Sequence, residues 1–379
     1  MAKLKLSYPE FRHAPAVVCG GGSLRSLADY VDEATVYLTS GRQPVLDLLG
    51  DALSRAHVEL TPANHVAKPD GEPTEAAIRI GSEFLREKPV RRIVAVGGGS
   101  VLDWARLAWA HAAGALDLAT GAVDPALAAQ SRPQLCLVPT TCGTGAEAAD
   151  VAVYQSSTGA KRAVVTRAFL ADRVVLDGRF LESVAPRDLA AFLCDALSHS
   201  VEAYVSIVPL HLGKETAAAA LTALIDAYAL PPGGSRHDRL MEAGFLGGVA
   251  AANCSVGIVH AFAHAVGVDG MGHGLANGCA LVTGLEFNAG TPQMQALLGR
   301  LRLDGVEDLV ARVRPIVDEA LESVAAHTVA ARLAAESDYR RQIAARMAAD
   351  VAIRSNPRRA SEEDLLAFVD AVAARVAPG

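Results

Sequence analysis

Asp195 and His199 lie four residues apart in an apolar-periodic run, and His260 and His264 repeat that interval later in the chain. Four residues is just over one helical turn, so each pair shares a helix face. His273 follows in the glycine-flanked segment Gly270-Met271-Gly272-His273-Gly274, read as a loop. One carboxylate with three imidazoles is a donor set for a divalent cation that keeps a position open for a substrate oxygen. Taken singly, each pair has a blander reading. An Asp–His pair is more often a surface or capping interaction, and a histidine on an apolar face is more often a satisfied core residue. Their combination in one enzyme-like chain makes the metal reading the better one.

The second chemical feature is a pair of small-residue loops, each behind a β-branched run. Ile93-Val94-Ala95-Val96 leads into Gly97-Gly98-Gly99-Ser100, and a helical pattern opens at Val101. Glycines let the backbone approach an anion, and a helix N-terminus offers unpaired N–H groups with partial positive charge. A lone triple glycine is as often a plain tight turn. The other loop is Pro139-Thr140-Thr141-Cys142-Gly143-Thr144-Gly145-Ala146-Glu147. Gly143, Gly145 and Ala148 satisfy the G-x-G-x-x-G/A spacing, but Lys161-Arg162 stand where a dinucleotide fingerprint continues with an acid. The threonine hydroxyls suit ribose, phosphate or nicotinamide contacts instead. Cys142 has no base beside it and reads as a small loop residue, not a nucleophile.

These groups need a scaffold, and the chain supplies two kinds. Up to residue 185, strand-like runs at Val17–Val18, Thr35–Leu38, Ile93–Val96, Leu135–Val138 and Val174–Leu176 alternate with helical patterns such as Thr74–Glu87 and Val101–Ala112. That alternation predicts an α/β dinucleotide-binding domain, residues 1–185, on a mainly parallel sheet. Pro186-Arg187-Asp188 then opens a helix. Amphipathic runs follow at Leu189–Val205, Thr216–Tyr228, Met241–Gly267, Val306–Ala325 and Glu362–Ala374, with Gly267 a candidate C-cap. They predict an all-α metal-binding and catalytic domain, residues 186–379. Pro231-Pro232-Gly233-Gly234-Ser235 reads as a turn between two helices.

Composition narrows the class. The 379 residues are 51% hydrophobic and 20% charged with net charge −7, and no basic run exceeds three residues. Nucleic acid and anionic membranes are therefore not the expected partners. Met1–Pro9 lacks the apolar core of a signal peptide, and no stretch reaches the ~18 apolar residues of a membrane span. Six cysteines without a Cys-x-x-Cys pair read as free thiols in a reducing cytoplasm.

Read together, these segments resemble the iron-dependent (group III) alcohol dehydrogenases. The likeness is carried by Gly97-Gly98-Gly99-Ser100-Val101-Leu102-Asp103, Pro139–Glu147, Asp195-Ala196-Leu197-Ser198-His199, His260-Ala261-Phe262-Ala263-His264 and His273-Gly274-Leu275-Ala276-Asn277. Leu285-Glu286-Phe287-Asn288 and Asn356-Pro357-Arg358 also match. The resemblance implies that Asp195, His199, His260 and His273 hold the metal, Fe²⁺ or alternatively Zn²⁺. It makes His264 a neighbouring proton relay or nicotinamide contact. Gly97, Gly98, Gly99 and Ser100 would cradle the pyrophosphate; Asp103, Thr140, Thr141, Thr144 and Lys161 would hold the nicotinamide half. Against the family pattern, Ala265-Val266-Gly267 replaces Pro-Leu-Gly, His260 to His273 is one residue shorter, Ala146 replaces a Ser and Arg106 a Lys.

The implied activity is NAD(P)H-dependent interconversion of a small aldehyde and its primary alcohol, working as an aldehyde reductase. An anionic aldehyde such as phosphonoacetaldehyde is one candidate, and a homodimer is the expected assembly. The rival from another class is a carbon–oxygen lyase or cyclase resembling dehydroquinate synthase, but Asp195-x-x-x-His199 favours the dehydrogenase. Where NAD-preferring relatives carry an acid after the second strand, this chain reads Ser40-Gly41-Arg42. Room for a 2′-phosphate and a cation to pair with it favour NADPH over NADH.

Overall fold

The computed structural model describes residues 10–12, 16–129, 132–322 and 324–377. The Met1–Pro9 segment and residue 323, in the run expected to be helical to Ala325, lie outside them. The described residues divide into two compact units. One is drawn from His13–Ser183 and Pro232–Glu242, the other from Met1–Arg12, Val184–Pro231 and Ala243–Gly379.

In the first unit the strands are β1 (Val17–Cys19), β2 (Thr35–Thr39), β3 (His65–Ala67), β4 (Arg92–Gly97), β5 (Gln134–Pro139), β6 (Val151–Gln155), β7 (Lys161–Val165) and β8 (Arg173–Leu176). Six form one sheet in the order β1-β8-β5-β4-β2-β3, every pair parallel. Every residue of β2, and all of β4 and β5 but the first, is buried. Continuous apolar runs of this kind mark strands covered on both faces, which is why a parallel sheet forms. The antiparallel hairpin of β6 and β7 and the short edge strand β3 were not expected from the sequence. The Glu75–Arg86 helix packs on the Gly99–Ala112 helix at Gly81, where a Cβ would come 2.8 Å from Trp104 and Ala108. The Trp104 indole N–H is satisfied by the Ala77 carbonyl at 2.7 Å.

The second unit is helical. Helices Pro186–Val205, Ile258–Gly267 and His273–Asn288 carry the candidate metal ligands. Three expectations are corrected here. The run Met241–Gly267 is not one helix: Gly234–Cys254 and Ile258–Gly267 meet at a 99° bend. At the break Ser255 takes a left-handed backbone (φ 68), and the Ser355 hydroxyl lies 2.9 Å from the Ser255 hydroxyl and 2.6 Å from the Val256 carbonyl. His273 is not in a loop but opens a helix, with Gly272 at its N-cap. Gly267 ends its helix from inside; the left-handed glycine comes later, at Gly270 (φ 95). No single helix among the described residues is long and apolar enough to cross a membrane.

The ligand-bearing helices approach closely because glycines line their contacts. A Cβ on Gly274 would lie 2.3 Å from the Ala191 carbonyl oxygen, and one on Gly284 2.3 Å from Val259 Cγ2. The first clash is with backbone, which cannot rotate away. Gly274→Ala should therefore cost about 1–3 kcal/mol, the range for overpacking a filled core. Denaturant unfolding measures it, and an unchanged midpoint would refute the close packing.

Candidate metal and cofactor sites

All four expected ligands converge. Asp195 Oδ1 lies 3.7 Å from His199 Nε2, 3.5 Å from His260 Nε2 and 3.5 Å from His273 Nε2. Asp195 and His199 share a face of the Pro186–Val205 helix by their four-residue spacing, and the His199 ring stacks on His260 at 4.6 Å. Donors bonded at about 2.1 Å around a tetrahedral centre stand about 3.4 Å apart, so these separations suit a shared cation. Asp195, His260 and His273 offer ligand atoms all within 4.8 Å of one another.

His260 supplies the sharpest test of fit. Its Nδ1 lies 2.6 Å from Glu202 Oε2, which fixes the N–H on that nitrogen. Its Nε2 is buried and has no hydrogen-bond partner. A buried ring nitrogen left unmatched is costly, and a cation that takes the place of its proton satisfies it. Burial opposes charge on His260, yet Asp195 and Glu202 on its two sides push its pKa up to about 9. Burial likewise opposes the charge of Asp195, but His273, His199 and His260 hold that carboxyl far below the usual range. Asn277 Nδ2 donates to Asp195 Oδ1 at 2.8 Å.

His264 is set apart from the four. Its Nδ1 lies 3.0 Å from Asp350 Oδ2, and its ring stacks on His273 at 5.5 Å. Burial would raise the Asp350 carboxyl, but His264 holds it below its ordinary value. Sequence reasoning missed Glu202, Asn277 and Asp350. Glu202 falls seven residues after Asp195, two turns along the same face, and Asn277 falls four after His273. Both were readable from spacing; Asp350 had no local signal.

Of the residues expected to hold the cofactor, Ser40, Gly97 and Thr140 lie at the carboxyl edge of the parallel sheet. Register pairs Thr39 with Val96 and Gly97 with Pro139. The ladder then runs one residue further, with Ser40 N–H donating to the Val96 carbonyl (3.2 Å) and Thr140 N–H to the Gly97 carbonyl (3.0 Å). Three loops therefore leave side by side where such sheets bind ligands. Gly98 is the N-cap of the Gly99–Ala112 helix. A Cβ on Gly97 would come 2.5 Å from Val101 Cγ2, and one on Gly99 2.8 Å from Thr144 Oγ1, so neither position admits a side chain. Thr141 Oγ1 is buried without a partner, 3.7 Å from where a Gly98 Cβ would stand. Bare glycine backbone beside an unmatched hydroxyl fits a pyrophosphate.

The remaining expected residues differ in what they have free. Asp103 has both oxygens engaged, by Arg106 Nη2 (2.5 Å) and by the Val153 N–H (2.9 Å), which ties its helix to β6. Lys161 is exposed at the start of β7, opposite Gln155. Ser40 Oγ accepts from the Arg42 N–H at 3.4 Å, Gly41 is left-handed (φ 70), and Arg42 is exposed at the N-cap of the Gln43–Ser54 helix. Gly20-Gly21-Gly22-Ser23 after β1 copies the glycine-loop pattern, yet its Gly22 and Leu24 N–H groups donate to the Asp177 carboxylate (3.3 and 3.0 Å). That second loop is filled by the protein's own anion.

Two outcomes follow for the metal cluster. With His260 protonated up to about 9 in the metal-free protein, cation binding near neutral pH should expel about one proton per ion. Apparent affinity then rises as pH climbs toward that value and levels off above it. Calorimetry in two buffers of different ionisation enthalpy counts the proton, and zero release would contradict the assignment. Glu202→Gln should weaken cation binding by about 10–100-fold, the usual cost of losing the carboxylate behind a ligating imidazole.

Comparison with known proteins places the chain. Residues 14–178 match the family model described as iron-containing alcohol dehydrogenase, and residues 190–373 match the C-terminal model of the Fe-containing alcohol dehydrogenase family. The probable alcohol dehydrogenase EutG of Escherichia coli (strain K12) is 31% identical over 318 residues, covering 79% of this chain and 77% of that protein. The iron-containing alcohol dehydrogenase from Thermococcus thioreducens superposes with a TM-score of 0.83 at 23% identity, over 96% of this chain and 100% of that one. The sulfoacetaldehyde reductase from Bifidobacterium kashiwanohense, solved with NAD⁺, superposes at 0.82 and 18% identity, over 97% and 99%. Matched in both halves and over most of a relative's length, the chain belongs to the iron-containing alcohol dehydrogenase family and is an alcohol dehydrogenase.

Proposed function

We propose that the enzyme works as an NADPH-dependent reductase of small aldehydes, with Fe²⁺ held by Asp195, His199, His260 and His273. The observation that carries this reading is the buried, unpartnered His260 Nε2 among three further donors. A divalent ion there supplies Lewis acidity toward a carbonyl oxygen. The reduced dinucleotide supplies hydride. We assign residues 1–185 to the dinucleotide and 186–379 to the metal. Six cysteines with no disulfide among them suit a reducing, cytoplasmic setting, and a homodimer is the assembly to test by light scattering.

The chain's own residues do the rest. Gly97, Gly98, Gly99, Ser100 and Thr141 orient the dinucleotide through backbone N–H groups and one free hydroxyl. Thr140, Thr144 and Lys161 serve its nicotinamide half, and Asp103 holds the helix and hairpin that frame it. His264 relays the proton that the product oxygen needs: Asp350 fixes its Nδ1, which leaves Nε2 to carry the proton. His264→Ala should lower the rate and flatten its pH profile with metal content unchanged. Loss of metal in that variant would move His264 among the ligands instead.

Cofactor choice rests on Ser40, Gly41 and Arg42. The segment Ser40-Gly41-Arg42 carries no carboxylate to repel a 2′-phosphate, and Arg42 makes no ion pair among the described residues. We expect kcat/KM for NADPH to exceed that for NADH, with Ser40→Asp shifting the ratio toward NADH. Equal use of both by the unaltered enzyme would refute this. The function itself is tested by NADPH oxidation against an aldehyde panel of short neutral aldehydes with phosphonoacetaldehyde and sulfoacetaldehyde. The fold neighbour named for sulfoacetaldehyde is the reason anionic aldehydes belong in it. Turnover of none of them would sink the reductase reading.

A further inference from the structure

Two segments that stand out in the sequence, Leu285-Glu286-Phe287-Asn288 and Asn356-Pro357-Arg358, take no part in the chemistry above. In the structure they meet each other. The buried carboxamides of Asn288 and Asn356 exchange two hydrogen bonds, Asn288 Nδ2 to Asn356 Oδ1 (3.1 Å) and Asn356 Nδ2 to Asn288 Oδ1 (3.0 Å). Arg358 lies over the Phe287 ring at 4.1 Å and donates to the Phe287 carbonyl at 3.3 Å. Asn356 Nδ2 also donates to the Arg358 carbonyl at 2.8 Å.

What this clamp holds is the start of the His260 helix. The first N–H groups of a helix have no partner within it and are ordinarily met by the N-cap side chain. Here the N-cap is Gly257, which has none. The Ile258 N–H donates to Asn356 Oδ1 (3.3 Å), the Val259 N–H to Glu202 Oε1 (2.7 Å) and the His260 N–H to Glu202 Oε2 (3.4 Å). Two side chains distant in sequence therefore cap the helix. A Cβ on Gly257 would come 2.8 Å from Asn356 Oδ1 and 2.9 Å from Glu202 Oε1, so the caps occupy the space a local one would need. The amide pair also decides which end of Asn356 faces the helix. With Nδ2 committed to Asn288 and Arg358, only Oδ1 is left to accept from Ile258.

We propose that Asn356, oriented by Asn288, is a positioning residue for metal binding: it caps the His260 helix and so sets where His260 Nε2 stands among the ligands. This rests on the metal reading above. The test is a Co²⁺ titration of metal-free wild type, Asn288→Ala, Asn356→Ala and the double variant, read by the visible d–d absorption. Dinucleotide Kd and thermal unfolding of the metal-free chains are measured alongside. Wild type should bind about one Co²⁺ per chain, and Asn356→Ala should bind about tenfold more weakly with an altered spectrum. Asn288→Ala should lose less, and the double variant no more than Asn356→Ala, because both residues act through one oxygen. Dinucleotide Kd should stay unchanged throughout. Wild-type affinity and spectrum in Asn356→Ala would overturn the inference while leaving the metal site standing. A wild type that takes up no Co²⁺ would overturn the metal reading and the inference with it. Parallel loss of dinucleotide binding would show general unfolding and overturn the positioning role. Should Asn356→Ala fail to fold, Asn288→Ala decides: an unshifted spectrum at wild-type affinity overturns the proposal.

Discussion

The helical unit is organised around a buried carboxylate. Asp195, 2% exposed, sits among the imidazoles of His199, His260 and His273 with Asn277 donating to it. Stripping water from an ion costs several kcal/mol unless fixed partners replace it. Every partner here comes from one of three helices, and each helix is brought in at a glycine or a distant cap. Gly274 lets the His273 helix reach the Ala191 carbonyl, and Glu202 both caps the His260 helix and fixes its imidazole. Charge, burial and an unmatched ring nitrogen all call for a cation at one place.

The sheet unit obeys a different constraint, the continuation of its ladder. Ser40 and Thr140 each extend the backbone pairing one residue past the strand end. The loops that follow are thus fixed relative to one another by hydrogen bonds rather than by side chains. Tight glycine contacts then leave bare backbone at the head of the Gly99–Ala112 helix.

The sequence disclosed what repeats locally. β-Branched runs named five of the six strands in the parallel sheet, and helical spacing put Asp195 and His199 on one face. What stayed hidden depends on tertiary partners. Asn253, Ser255 and Gly257 give only a weak local signal of the break, and the chain turns there with Ser355 from far away packed against it. Flanking glycines made His273 look like loop, although Gly272 starts a helix and Gly274 serves packing. The two triple-glycine loops are alike in sequence, but the first opens a 3-10 helix and is filled by the Asp177 carboxylate. Local pattern finds candidates, and long-range hydrogen bonds decide among them.

We propose that Asp195, His199, His260 and His273 form one metal centre on which turnover depends. Elemental analysis of purified wild type and His260→Ala, each paired with an activity assay and a dinucleotide titration, tests it most directly. About one divalent ion per wild-type chain is expected, with no ion and no turnover in the variant and dinucleotide binding retained. A metal-free wild type that remains fully active would contradict it.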